Sequence, residues 1–152
     1  MKDSRDSAPE LRARALRLLA RREHSRAELA RKLAAHAPSA AVLEQLLDAL
    51  AARRQLSDER FAEERARQLA RKYGATRIRL DLISKGVAAE TAARLSQASG
   101  DGDFERARAI LARKYRQPAT TAAERARRMR FLQGRGFGHA IIRRLLSSSD
   151  TE

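Results

Sequence analysis

Leu69-Ala70-Arg71-Lys72-Tyr73 returns as Leu111-Ala112-Arg113-Lys114-Tyr115, each closing a helical pattern, and Leu19-Ala20-Arg21-Arg22 closes another nearer the N-terminus. A second echo keeps the same order. Lys85-Gly86-Val87 and Arg135-Gly136-Phe137 each separate two helical segments, with Leu95 and Leu145 at matching distances beyond them. Ordered recurrence of this kind marks a tandem array, here of three units of roughly 40 to 50 residues. The expected organisation is an N-terminal flexible tail (1–9), repeat 1 (10–56), repeat 2 (57–100), repeat 3 (101–147) and a flexible C-terminal tail (148–152).

Each unit reads as three short helices. In the first, Leu11, Ala15, Leu18 and Leu19 share a helical face, and Ser25 with Glu28 forms a capping box before Leu29 and Leu33. After Pro38-Ser39, the spacing of Leu43, Leu46, Leu47 and Leu50 describes a buried stripe. The second unit opens at Ser57-Asp58-Glu59, whose cap and acidic first turn suit the positive end of a helix dipole, and its first helix runs through Phe61 and Leu69 to a stop at Tyr73-Gly74. A second helix carries Ile78 and Leu82 to Gly86, and a third holds Val87, Ala92 and Leu95. Ser99-Gly100-Asp101-Gly102 then reads as a separator. In the third unit Phe104, Ala107, Leu111 and Tyr115 align on one face. The chain breaks at Gln117-Pro118, restarts at a Thr121/Glu124 capping box, breaks again at Gly134-Arg135-Gly136, and ends in a helix over about 138–146.

Composition agrees. Ala, Leu, Arg and Glu dominate, and the chain has four Phe, two Tyr and no Trp. These are strong helix formers, so the expected fold is all-α, with three tandem three-helix repeats stacked into an elongated curved rod. Cys is absent, which excludes disulfide and thiolate chemistry. The charged opening residues lack a secretory leader pattern, and no apolar run approaches the roughly 20 residues needed to span a bilayer, so a cytoplasmic location is expected.

No catalytic constellation emerges. Gly134-Arg135-Gly136-Phe137-Gly138 lacks the upstream strand and the spacing of a dinucleotide fingerprint, so those glycines read as a break between helices. His24, His36 and His139 are isolated and read as surface or turn residues rather than zinc ligands. Asp58, Glu59, Glu63 and Glu64 read as a helix start, with Glu63 and Arg67 spaced for an ion pair, rather than as a metal site. No cofactor, metal or enzymatic activity is expected.

Charge carries the functional signal. The chain holds 33 Lys and Arg against 19 Asp and Glu, a formal net charge of +14, which calls for a polyanionic partner. Between Phe104 and Leu146 twelve basic residues face two acidic ones. The candidate binding residues are Arg71, Lys72, Arg77, Arg79, Lys85, Arg106, Arg113, Lys114, Arg116, Arg125, Arg127, Arg128, Arg130, Arg135, Arg143 and Arg144. Helical spacing puts Arg125, Arg128 and Arg135 on one flank of their segment and Arg127 and Arg130 on the other; Arg106 and Arg113 lie opposite the Phe104/Leu111/Tyr115 stripe. With aromatics mostly at apolar-face positions, a base-stacking platform is poorly supplied, and a protein groove that already holds DNA suits this surface better than bare DNA.

With units, breaks and charges in view, the chain resembles the RecX family. Leu56-Ser57-Asp58-Glu59-Arg60-Phe61-Ala62 is similar to that family's link between first and second repeats. Ser25-Arg26-Ala27-Glu28-Leu29, Lys85-Gly86-Val87 and Phe131-Leu132-Gln133-Gly134-Arg135-Gly136-Phe137 match in order, and the resemblance spans about residues 10 to 147. The chain departs from the pattern at His36-Ala37-Pro38, which stands where a Gly-plus-aromatic turn is expected. The resemblance implies a monomeric, non-enzymatic regulator seated in the groove of the RecA filament on single-stranded DNA. It would inhibit RecA's ATPase, strand-exchange and co-protease activities and so modulate homologous recombination, DNA repair and the SOS response. It also implies that Phe61, Leu69 and Tyr73 are core residues. The alternative is a basic helical protein that binds DNA or RNA directly.

Overall fold

The structure is a computed structural model that describes residues 5–147; the C-terminal tail expected over 148–152 lies outside them, as do the first four residues of the expected N-terminal tail. The described residues form nine helices and no strand: α1 (Ala8–Arg21), α2 (Arg26–Leu33), α3 (Ala40–Ala52), α4 (Asp58–Leu69), α5 (Ala75–Ser84), α6 (Ala89–Gly100), α7 (Asp103–Lys114), α8 (Ala122–Gly134) and α9 (His139–Ser147). The chain divides into two compact units. One comprises the residues through Glu64 together with Ser84–Val87; the other comprises Arg65–Ile83 and the residues from Ala88 onward.

In the first unit, α1 starts inside the stretch read as tail. Ser7 and Glu10 form a full capping box around its first turn. Asp6 pairs with both nitrogens of the Arg14 fork, at 2.7 and 3.2 Å, and its N–H donates to the His36 carbonyl at 2.8 Å. The hydrogen bond from Arg14 holds the Asp6 carboxyl below its usual range. Leu11, Ala15, Leu29, Leu33, Leu46, Leu47 and Leu50 close the core, with Leu18, Leu19 and Leu43 packed at its edge. The apolar spacings read from the sequence therefore point inward.

Two expectations change here. Ser25 caps Glu28 N–H at 3.1 Å, but the Glu28 carboxylate pairs with Arg22 instead of returning to the cap, so the box is half made. Burial raises the Glu28 pKa, yet the guanidinium of Arg22, with His24 and Lys32, outweighs it and leaves the carboxyl below its ordinary value. His24 is a buried residue, 1 % exposed, not a surface one. Its Nδ1 lies 3.0 Å from the Arg22 carbonyl and its Nε2 2.9 Å from Lys32 Nζ. An ammonium can only donate, so Nε2 accepts and Nδ1 carries the proton. Burial, aided by the Arg22 and Lys32 charges, pushes the His24 pKa down and keeps the ring neutral.

Asp58 has a partner that helix propensity does not reveal. Its Oδ1 accepts from the backbone N–H of Arg26, the first residue of α2, at 2.7 Å. The Ser25 hydroxyl beside it donates to the Lys85 carbonyl at 2.6 Å. Gly86 has φ +86, and a Cβ there would stand 2.5 Å from Ala27 Cβ, so glycine is required twice over.

The second unit repeats this arrangement. Asp103 Oδ2 accepts from the N–H of Ala75, the first residue of α5, at 3.0 Å. Gly74 N–H donates to the Arg135 carbonyl at 2.8 Å, Thr76 N–H donates to the Gly136 carbonyl at 3.3 Å, and Gly136 has φ +85. Gly74 does not stop a helix as its position suggests, because α4 already ends at Leu69. The glycine instead permits close backbone approach, since a Cβ would lie 2.5 Å from the Gly136 oxygen. The separator read at Ser99-Gly100-Asp101-Gly102 is shorter than expected, because α6 runs through Gly100 and α7 begins at Asp103.

Ala107, Leu132, Phe137, Ile142 and Leu145 form the core under α7, α8 and α9, flanked by Phe104, Leu111 and Phe131. The Thr121/Glu124 box is complete. Backbone donors at Thr120 and Thr121 lower the Glu124 pKa, as expected of a carboxylate held at a helix start. In this unit Arg65 pairs with Asp81, through Nε at 2.9 Å and Nη2 at 3.0 Å.

Candidate anion-binding cleft

Six of the sequence-nominated cations meet in the second unit. Arg71, Lys72 and Arg77 come from the α4–α5 connection and the start of α5, Arg113 and Lys114 from the end of α7, and Arg135 from the turn after α8. With Tyr73, Ile110 and Phe131 they line one cavity of about 550 Å³, and no carboxylate is among the lining residues. The repeated Leu-Ala-Arg-Lys-Tyr motif at the ends of α4 and α7 delivers four of these cations, so the internal repeat noticed in sequence has a spatial counterpart.

The aromatic rings hold the cations in place. Arg77 lies over the Tyr73 ring at 4.1 Å and donates to the Gly134 carbonyl at 3.0 Å. Arg135 donates to the Lys72 carbonyl at 3.3 Å and lies 5.3 Å from the centre of Phe131 and 5.7 Å from that of Tyr73. Lys114 sits 4.0 Å over Phe131. Each such contact contributes about 0.5–1 kcal/mol at an exposed site and restricts a long side chain that would otherwise be dispersed in solvent. Tyr73 is therefore a wall of this cleft, not the core residue implied by the resemblance.

The remaining candidates disperse. Arg116 and Arg128 border a second hollow of about 570 Å³ with Phe104, Leu111 and Tyr115. Arg128 is tied there, donating to the Gln117 carbonyl at 2.7 Å and lying 4.6 Å over Tyr115. The shared flank expected for Arg125, Arg128 and Arg135 is thus split, because Arg135 turns with the backbone after α8 into the first cavity. Arg106 is committed to the fold: it pairs with the buried Asp103 and donates to the Ser99 carbonyl at 2.5 Å. Arg144 covers the Phe104 ring at 4.0 Å. Arg79 borders a smaller hollow with Ala93 and Gln97. Arg127, Arg130 and Arg143 are exposed, Arg125 is half-buried, and Lys85 belongs to the first unit.

Tyr73 and Phe131 are the site residues that sequence reasoning left out. Tyr73 carried a signal, as the Tyr that ends the repeated motif beside a basic pair, whereas Phe131 carried none. No group of three or more His, Cys, Asp or Glu side chains among the described residues is placed to hold a metal. Nor is any described helix long and apolar enough to cross a membrane.

Three family models match in tandem: the first three-helix domain of RecX over residues 12–50, the second over 57–94 and the third over 101–146. The chain is 44 % identical to the regulatory protein RecX of Leptothrix cholodnii, over 93 % of this chain and 90 % of that one. It is 47 % identical to that of Herbaspirillum seropedicae, over 88 % and 86 %. A crystal structure of RecX from Lactobacillus salivarius superimposes with a TM-score of 0.80, covering 95 % of this chain and 97 % of the other; at 19 % identity the likeness is one of fold.

Proposed function

The chain belongs to the RecX family, and from that premise we propose that it is a non-enzymatic regulator of the RecA recombinase, acting from the groove of the RecA filament on single-stranded DNA. Its role is that of a RecX regulatory protein, as in the relatives it matches. In this reading it works as a monomer in the cytoplasm, inhibits RecA's ATPase, strand-exchange and co-protease activities, and thereby modulates recombinational repair and the SOS response. Its three repeats are taken as residues 10–56, 57–100 and 101–147.

The observation that carries the reading is the six-cation cleft of the second unit. A cleft without lining carboxylates attracts polyanions strongly, and releasing the counterions condensed on them makes the attraction salt-dependent. A RecA filament on DNA offers both phosphates and an extended protein surface. Binding one filament state more tightly than another would shift its population without any chemical step.

The test is co-sedimentation with RecA filaments assembled on single-stranded DNA, compared with the same DNA bare. Pelleting with filaments at a salt concentration that releases the protein from bare DNA supports the proposal. Equal retention on both favours a direct nucleic-acid binder.

A further inference from the structure

The cleft of the second unit is more than a charged surface, and we infer that it is a built site for a short run of phosphate groups, two or more carried on one ligand. This rests on the proposed role and narrows it to a ligand chemistry. Cations from three separated stretches of chain converge on a single cavity, and like charges gathered this way repel one another unless something holds them. Backbone carbonyls and aromatic faces do so here. Arg77 is fixed between the Gly134 carbonyl and the Tyr73 ring, Arg135 between the Lys72 carbonyl and Phe131, and Lys114 over Phe131.

Carbonyls and rings position a cation without neutralising it, so the guanidinium forks keep their full charge and their unused donors. Such forks meet phosphate oxygens in pairs, which a chloride cannot do, and a lone carboxylate, although it can pair with one fork, brings too little charge for the several cations gathered here. A cation also lies over each ring, so the aromatics support the charges rather than stack bases. The cleft thus recognises phosphates and is indifferent to base identity. Its volume of about 550 Å³ falls within the range of roughly 300–1,000 Å³ typical of small-ligand sites. Consecutive phosphates of a DNA strand and the polyphosphate of a free nucleotide share this chemistry.

The chain has two tyrosines and no tryptophan, so Tyr115→Phe leaves Tyr73, in the cleft, as the only tyrosine emitter. Titration of this full-length variant with sodium tripolyphosphate, which does not absorb in the tyrosine band, is expected to change Tyr73 emission saturably. Adding Arg77→Gln with Arg135→Gln should weaken the response at least about tenfold, whereas Arg127→Gln with Arg143→Gln, which removes equal charge elsewhere, should change it less than about twofold. Circular dichroism melts check folding, and Lys114→Gln, at an exposed side chain, is the second variant should the Arg pair unfold. No change in emission, or equal losses in both double variants, overturns the inference.

Competition identifies the source of the phosphates. Displacement of tripolyphosphate by an oligothymidylate supports strand phosphates, displacement by ADP alone supports a free nucleotide, and displacement by neither overturns the site. Co-sedimentation of the Arg77/Arg135 variant separates the two proposals. If tripolyphosphate binding is lost while filament binding persists, the phosphate site stands and the cleft is not the filament contact. If tripolyphosphate never binds but the variant leaves the filament, the filament reading stands and the phosphate site fails.

Discussion

Asp58 caps the helix of Arg26: its carboxylate accepts the first backbone N–H of α2 at 2.7 Å. Asp103 does the same at Ala75 of α5, at 3.0 Å. In each unit, the aspartate that opens one helix also satisfies the orphan N–H of an earlier one, in register with the Lys85-Gly86 or Arg135-Gly136 turn that bonds beside it. The device explains why an aspartate and a glycine turn recur in order: Asp58 with Lys85-Gly86, and Asp103 with Arg135-Gly136, are two copies of one joint.

Asp58→Ala is expected to destabilise the chain by about 1–2 kcal/mol, the cost of a lost cap. Asp58→Asn, which keeps an acceptor, should recover most of it. Asp103→Ala should cost more, because it also strands the Arg106 guanidinium that pairs with the buried carboxylate. Urea melts of the three variants check the order.

His24 makes stability depend on pH. Its folded pKa lies below the unfolded value of 6.5, so the unfolded chain takes up the proton first as pH falls. The contribution of the neutral ring is complete above 6.5 and is lost as pH drops below it, toward the folded pKa. Glu28, whose pKa is also lowered, stays ionised through that window and titrates below 4.5. Melting temperature should therefore decrease between about pH 7.5 and 5.5, and His24→Gln should flatten that dependence. Parallel pH profiles for the two proteins would exclude it.

Arg54, just past α3, has φ 59, a left-handed conformation that costs a side-chain-bearing residue energy. Gln55 and Leu56 N–H both donate to the Leu50 carbonyl there, closing the helix. Arg54→Gly should raise stability by about 0.5–1 kcal/mol, read as a higher urea midpoint with an unchanged slope.

Leu132, fully buried beneath α7 and α9, sets the strength of the core that supports the cleft. Leu132→Ala should cost about 2–5 kcal/mol. Leu111→Asp, which places a charge against the same cluster, should unfold this part of the chain, seen as lost helical ellipticity. Substitution at Arg113, exposed at the cleft, should leave melts unchanged, and Lys114→Gln, which gives up the contact with Phe131, should cost no more than about 1 kcal/mol.

Much of the fold was legible because local rules suffice for helices. The Ser25, Ser57 and Thr121 caps, the Leu43–Leu50 stripe and the turns at Gly86 and Gly136 each follow from residue type and spacing. What escaped were pairings between residues distant in sequence. Asp58 reads as an ordinary first-turn carboxylate until Arg26 is seen beside it, and nothing local marks His24 as buried. The cleft was half legible: charge density nominated its cations, but neither helical periodicity nor composition separates Arg135, which enters it, from Arg128, which is bound at Gln117.

The most direct test of the regulatory reading is RecA's ATP hydrolysis on saturating single-stranded DNA, with this protein titrated from far below the RecA concentration. The account predicts inhibition at substoichiometric ratios, weakened by charge reversal at Arg77 and Arg135. Inhibition only at amounts that coat the DNA, or none at any ratio, would contradict it.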